Sequence, residues 1–201
     1  MLGLLIPVLL ASAIAALRVR SVTGLQHLRV QWWPLAFGSI AVQLVLFNPP
    51  IDRQGWAIAV GPAIWVVSLA GFVAVLVRNS LSANCARAAF GIAALGVAAN
   101  LFVVLANDGY MPQSPEARLT ARGATLDVLD AAPRLHNVVP SGPETRFGWL
   151  GDVIAEPAWL PRANVVSIGD VVLSAALACW AFRVIATAPS PKVRRPLADS
   201  Q

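Results

Sequence analysis

The sequence predicts an all-α integral membrane bundle of five transmembrane helices, with a long extracytoplasmic loop between the fourth and fifth. Three observations predict it. The chain is 57% hydrophobic and only 12% charged, where a soluble domain has about 25% charged residues. Five apolar stretches, residues 2–17, 32–47, 56–77, 88–106 and 165–186, fill nearly half of its length. Each approaches the roughly 17–25 residues that a helix needs to cross a hydrocarbon core, where an unpaired backbone finds no water. Lastly, the arginines between the stretches alternate in density from one side to the other.

Arg18, Arg20 and Arg29 follow the first stretch, Arg78 and Arg87 follow the third, and Arg183, Lys192, Arg194 and Arg195 follow the last. The opposite side carries Arg53, Arg118, Arg122, Arg134, Arg146 and Arg162, diluted over a longer length and mixed with most of the acids. Basic residues near span ends stay cytoplasmic. The N-terminus is therefore expected outside and the C-terminus in the cytoplasm. The chain divides into spans one to four (1–106), an extracytoplasmic loop (107–164), the fifth span (165–186) and a disordered cytoplasmic tail (187–201).

The first span has small-residue sites at Ala11, Ala13 and Ala15 that a signal peptidase could use. No positive charge precedes it, and Arg18 and Arg20 follow it, which favours an uncleaved helix. Pro7 and Pro62 lie near the outer ends of the first and third spans, where proline kinks a spanning helix. Asn48-Pro49-Pro50 makes a rigid outer turn. The fourth span is rich in alanine and carries Gly91 and Gly96, so close packing places it centrally. Trp32, Trp33, Trp56 and Trp159 stand at the expected membrane boundaries as anchors. Cys85 and Cys179 fall on the cytoplasmic side, where no structural disulfide is expected.

In the long loop, Ser114-Pro115-Glu116 reads as a helix start: a capping hydroxyl, proline in the first turn and an acid near the positive end of the dipole. That helix runs to about Arg122 and Gly123 stops it. Residues 125–132 predict another brief helical turn before Pro133. Residues 147–154 are apolar but too short to span, and read as an interfacial or re-entrant segment ended by Pro157 and Pro161.

Asp170 leads the candidate functional residues. It lies five residues into the last apolar stretch, roughly 8 Å below the outer boundary at 1.5 Å per residue, where a carboxylate is costly. Ser167, Asp170 and Ser174 share one face of that helix. Counting depth in the same way, Asn100 and Gln43 reach a similar level, so the three polar side chains are expected to meet inside the bundle. His136, Arg146, Asp152 and Asn107 come from the loop. Together with Asp170 they can line an outward-facing pocket for an ion, an anionic group or a proton. The competing structural account is a plug in which Arg146 pairs with Asp152 or Asp170 and His136 bonds a loop carbonyl. No metal ligand set is present, and no cofactor is implied: His27 sits in an inner arginine-rich loop, and no span holds a histidine for haem. His-Glu-x-x-His, Gly-x-Ser-x-Gly and phosphate-loop patterns are absent. The net charge of +5 does not imply nucleic acid, because the basic residues form no continuous stripe.

The run Leu105-Ala106-Asn107-Asp108-Gly109-Tyr110-Met111-Pro112, then His136, Thr145-Arg146, Leu150-Gly151-Asp152-Val153-Ile154 with Pro157, and Ser167-Ile168-Gly169-Asp170-Val171 resembles an uncharacterised bacterial multi-pass membrane family of the DUF5317 type. Asp108 stands where a glycine is expected. The resemblance implies a bacterial inner membrane and a five-span layout, and it brings no activity. Three functional readings follow from the residues. The first is a non-enzymatic accessory or assembly component, with the lipid bilayer and a protein partner or second copy of the chain as its contacts. The second is a small ion- or proton-coupled carrier using Gln43, Asn100 and Asp170. The third is a membrane-embedded enzyme on a lipid-linked substrate, with His136 as base and Asp152 or Asp170 orienting it.

Overall fold

In the computed structural model, residues 2–19, 29–82, 87–123, 136–161 and 163–187 are described. Five apolar helices form a row. They are α1 (Leu2–Val19), α2 (Trp33–Leu46), α3 (Gly55–Ser82), α4 (Arg87–Ala106) and α6 (Ile168–Ala186), with the short amphipathic α5 (Pro115–Arg122) between the last two. Neighbours run in the order α2, α3, α4, α6, α1. Among the described residues three helices, α3, α4 and α6, are long and apolar enough to cross a membrane, and two shorter apolar helices lie beside them. Residues 20–28 of the inner arginine loop, Cys85, the expected turn at 125–132 with Arg134, Arg162 and the tail beyond residue 187 fall outside the described residues.

The chain is mostly helical, but it is not all-α. The segment between α4 and α6 folds into a four-stranded sheet. Its strands are β1 (Met111–Gln113), β2 (Val138–Pro140), β3 (Asp152–Ala155) and β4 (Val165–Ser167), in the order β2-β1-β3-β4. β1 runs parallel to both β2 and β3, and β3 is antiparallel to β4. Strands of three or four residues are too short to print an alternating pattern, and Pro112 inside β1 argues against a strand on sight. The proline is tolerated because pairing with β3 begins only at Gln113, opposite Asp152. The apolar run at 147–154 is thus a 3-10 turn (Gly148–Leu150) followed by an extended strand. Likewise residues 165–167 are strand, and the last helix starts at Ile168.

Local signals shaped α5 as the sequence implies. Ser114 accepts the Ala117 N–H at 3.1 Å, and Gly123 closes the helix in the left-handed region with φ 70°. Its inner face, Ala117 and Ala121, packs on Ala163 and Val165 beneath it. The turn leaving α4 needs two left-handed residues, Asp108 (φ 55°) and Gly109 (φ 90°). Asp108 adopts the conformation that glycine takes more readily, which explains why glycine is expected there. Gly109 itself lies against Pro62 of α3, where a Cβ would approach the ring to 2.7 Å.

The core sits between α3, α4 and α6 around Trp65, Phe90, Val97 and Val104. α4 and α6 cross at two glycines. A Cβ on Gly96 would lie 2.5 Å from the Gly169 carbonyl oxygen, and one on Gly169 would strike both the Gly96 carbonyl and the Asn100 side chain. Small residues let helices in lipid approach to this distance. At the far end of α3, Asn79 accepts the Gln31 N–H at 2.8 Å and donates to the Gln31 carbonyl at 2.9 Å, which fixes the entry to α2.

Gly169→Val is expected to lower stability by roughly 1–3 kcal/mol or to prevent folding, as overpacking does. Gly38→Ala, where nothing lies within 4 Å of the added Cβ, should be neutral or slightly stabilising. Melting curves of the two variants in detergent check the contrast.

Candidate functional site

Two polar assemblies stack at the end of the bundle where α4 leaves and α6 begins. The lower one joins α4 to the start of α6. Asn100, 7% exposed, donates its amide to Asp170 Oδ1 at 2.9 Å and accepts the Ser167 hydroxyl at 2.8 Å. Ser167 and Asp170 also form a reciprocal capping box: Ser167 Oγ accepts the Asp170 N–H at 3.0 Å, and Asp170 Oδ2 accepts the Ser167 N–H at 3.2 Å. Asp170 is therefore in the first turn of its helix, where the dipole favours a negative group. Ser167 is the cap residue and not part of a mid-helix stripe. Ser174 is buried one turn further on.

Gln43 does not join this assembly. It lies half-buried on α2, and α2 packs chiefly on α3, whereas Asn100 and Asp170 sit on α4 and α6. Equal depth in the bilayer places residues in one layer but not side by side. Asn107 has a different role from the pocket lining expected of it. It donates to the Val103 and Arg146 carbonyls at 2.8 Å each and accepts the Arg146 N–H at 2.9 Å. The loop is thus pinned to the end of α4 through the Arg146 backbone. An amide makes this tie through backbone atoms, and the side chain of Arg146, expected to pair with Asp152 or Asp170, is exposed.

The upper assembly surrounds a cavity of about 280 Å³, near the lower end of the roughly 300–1,000 Å³ usual for small-molecule sites. Asp52, Gln113, Arg118, Arg122, His136, Asp152 and Asn164 line it, with Asn48, Asn137, Phe47 and Val138. Four of these polar side chains are buried: Asp52, Gln113, Arg118 and Asp152. Gln113 bridges two of them. Its Oε1 accepts Arg118 Nη1 at 2.7 Å, and its Nε2 donates to Asp152 Oδ2 at 3.2 Å. Arg122 donates to the Ala163 carbonyl at 2.9 Å and to Asn164 Oδ1 at 3.1 Å. The sheet places these groups: Gln113 ends β1, Asp152 opens β3 opposite it, and Ser167 pairs with Asp152 from β4. The two assemblies therefore meet at one rung of the sheet.

Burial pushes the Asp152 carboxyl up to about 8, with the nearby Asp170 charge adding to the rise and the Gln113 amide opposing it. A neutral carboxyl at physiological pH can donate a proton as well as accept one. His136 is half-buried on the same wall. Of the expected site residues, then, the structure brings Asn100, Ser167 and Asp170 together below, and His136 and Asp152 together above. Asp52, Gln113, Arg118, Arg122 and Asn164 were missed. Arg118 and Arg122 stand four apart on α5, and Gln113 immediately precedes its cap, which is the only local hint. Asp52 comes from the remote turn between α2 and α3, and no spacing links it to the loop. Among the described residues no group of His, Cys, Asp or Glu could hold a metal ion, and Cys179 is free and exposed.

Membrane-compatible helices topped by a small sheet with a polar cavity define a class of helical protein whose chemistry is concentrated at one end. The chain belongs to DUF5317, a family of unknown function that matches residues 27–182. No curated protein and no solved structure matches it.

Asn100→Leu leaves Ser167 and Asp170 short of partners in a buried setting. Its stability is expected to fall by about 1–3 kcal/mol, as measured by thermal melting in detergent. Because the folded pKa of Asp152 is raised, the folded state binds the extra proton between about pH 4 and the value near 8. This contribution to stability is complete below pH 4 and is lost as pH rises through 8, at up to about 1.4 kcal/mol per unit. Melting temperature should therefore fall from pH 5 to pH 8, and Asp152→Asn should flatten that slope.

Proposed function

We propose that the chain is a five-span protein of the bacterial plasma membrane, with its N-terminus outside and C-terminus cytoplasmic, whose outward-facing cap binds a small polar solute without chemically changing it. The observation that carries this reading is the cavity, with Asp52, Gln113, Arg118 and Asp152 buried in its wall. Polar side chains are placed at such depth at a cost, and convergent polar groups around a formed pocket mark binding sites.

The membrane part of the reading is supported by the row of helices. α1 packs along α6 and α2 along α3, so the two shorter helices extend the row made by the three long ones. Leu9, Leu10 and Leu17 on α1 and Phe37, Leu44 and Val45 on α2 are exposed, which suits contact with lipid. Trp32 and Trp33 at one end, and Trp56, Trp149 and Trp159 at the other, are also exposed, as interfacial rings are. The arginine asymmetry then sets the cap outside.

Binding without conversion is supported by the composition of the wall. Among the described residues lining the cavity none is Ser, Thr, Cys, Lys or Tyr, which leaves only aspartate and histidine as groups that could attack a substrate. The enzyme reading is left with His136 and Asp152 as a proton-transfer pair, and Asp170 is committed to its helix cap. The carrier reading loses Gln43 from its polar cluster. An accessory role, in which the protein presents or senses a solute for a larger assembly, accommodates the cavity best.

Two measurements test the proposal. In a chain with Cys85 and Cys179 replaced by alanine, Glu144→Cys, at an exposed position of the loop, should react with a membrane-impermeant maleimide added to intact cells, and Ser200→Cys should not. A panel of small neutral, cationic and anionic solutes should contain at least one that raises the melting temperature of the wild-type protein, and Gln113→Leu should abolish that rise. Labelling in the reverse sense, or a flat panel, would remove the reading.

A further inference from the structure

Asp52 is the one buried acid that the rest of the molecule leaves unsatisfied among the described residues. It belongs to the 3-10 turn Ile51–Arg53 between α2 and α3, is 2% exposed and lines the cavity. Its backbone N–H donates to the Asn48 carbonyl at 3.3 Å. Its carboxyl Oδ1, however, is buried with no hydrogen-bond partner. The other acids nearby are provided for. Asp152 accepts from Gln113, Asp170 accepts from Asn100 and Ser167, and Glu156 Oε2 accepts the Asn164 N–H at 2.9 Å. Buried polar atoms in folded proteins are almost always paired, and an exception needs a reason.

Oδ1 itself is closed to solvent, so a molecule in the cavity would meet the Asp52 carboxyl as a counter-charge, and the wall narrows what that molecule could be. A metal ion would need several ligands of its own, and no group of three His, Cys, Asp or Glu that could hold one occurs among the described residues. Asn48, Asn137 and Asn164 offer neutral amides, while Phe47 and Val138 give the same cavity an apolar flank. A charged N–H donor on a short carbon chain matches both features. A primary ammonium carries three such donors and forms charge-assisted bonds to carboxylate that are stronger than neutral ones.

We propose that the cavity binds a primary ammonium group on a small carbon skeleton, with Asp52 as its counter-ion. The inference rests on the solute-binding reading above and names the chemistry of the solute. Two kinds of molecule present this group, a simple amine and an amino acid. Arg118 and Arg122 on the same wall would favour the amino acid, whose carboxylate they can face.

The test uses the full chain in detergent, titrated at constant ionic strength with propylammonium, 4-aminobutyrate, tetramethylammonium and butyrate and followed by thermal shift and calorimetry. Propylammonium or 4-aminobutyrate should bind, and tetramethylammonium, which has charge but no N–H, should bind at least about tenfold more weakly. Asp52→Asn should weaken the ammonium probe by a similar factor. Stronger binding of 4-aminobutyrate identifies the amino-acid source, and equal or stronger binding of propylammonium identifies the simple amine. Should Asp52→Asn fail to fold, the wild-type ranking of the four probes decides alone. Butyrate matching the ammonium probes, tetramethylammonium matching propylammonium, or an unchanged affinity in Asp52→Asn would overturn the inference. If butyrate or a neutral solute such as glycerol binds while both ammonium probes fail, only the ammonium assignment falls. If no probe binds, the solute-binding reading falls with it.

Discussion

The contact between α4 and α6 at Gly96 and Gly169 governs the architecture above it. With no side chain on either residue, the two backbones close until Asn100 reaches the first turn of α6. There one amide satisfies a hydroxyl and a carboxylate at once. The capping box of Ser167 and Asp170 ends β4 and starts α6 within a single residue step, so the sheet is tied rigidly to the bundle. Asp152 then pairs with Ser167 across the sheet, and Gln113 pairs with Asp152. The position of the cavity wall is thus inherited, one hydrogen-bonded step at a time, from a helix crossing inside the apolar layer.

How much of this was legible depended on whether the signal was local. The cap of α5 lay within three consecutive residues, so its start and stop were readable. Depth counting paired Asn100 with Asp170, although it set Asp170 five residues into its span where the helix in fact starts at Ile168. The same counting failed for Gln43, since depth carries no information about which helices are neighbours, and α2 packs on α3. The sheet was illegible for a different reason. Its strands have three or four residues, two contain a proline, and their stability comes from partners up to 39 residues away in sequence, as Gln113 is from Asp152, not from any pattern of their own.

The cavity illustrates the same limit. α5 supplies two arginines from one helical face, and such a spacing is visible in a sequence. Asp52 arrives from a turn on the far side of α3, brought there because that turn follows α2 and precedes the long helix on which α4 packs. Gly109 against Pro62 holds the cap's first turn to α3, and so brings the two halves of the wall into register. Nothing in the order of residues announces that contact. It follows from a left-handed turn that only a residue without a Cβ can make in that space.

Three aspartates near this end of the molecule meet burial in three ways. Asp170 accepts bonds from a backbone amide and a side-chain amide and lies on a helix dipole, so its oxygens are engaged. Asp152 accepts one weak bond from Gln113 and holds its proton up to about 8. Asp52 has a buried oxygen that accepts nothing. A network that served only to hold the fold would be most complete where it is most buried, since each orphaned polar atom costs about 1–3 kcal/mol. Here the least exposed of the three acids is the least satisfied. The lower assembly is closed on itself, and the acid oxygen left without a partner among the described residues belongs to a residue of the cavity wall.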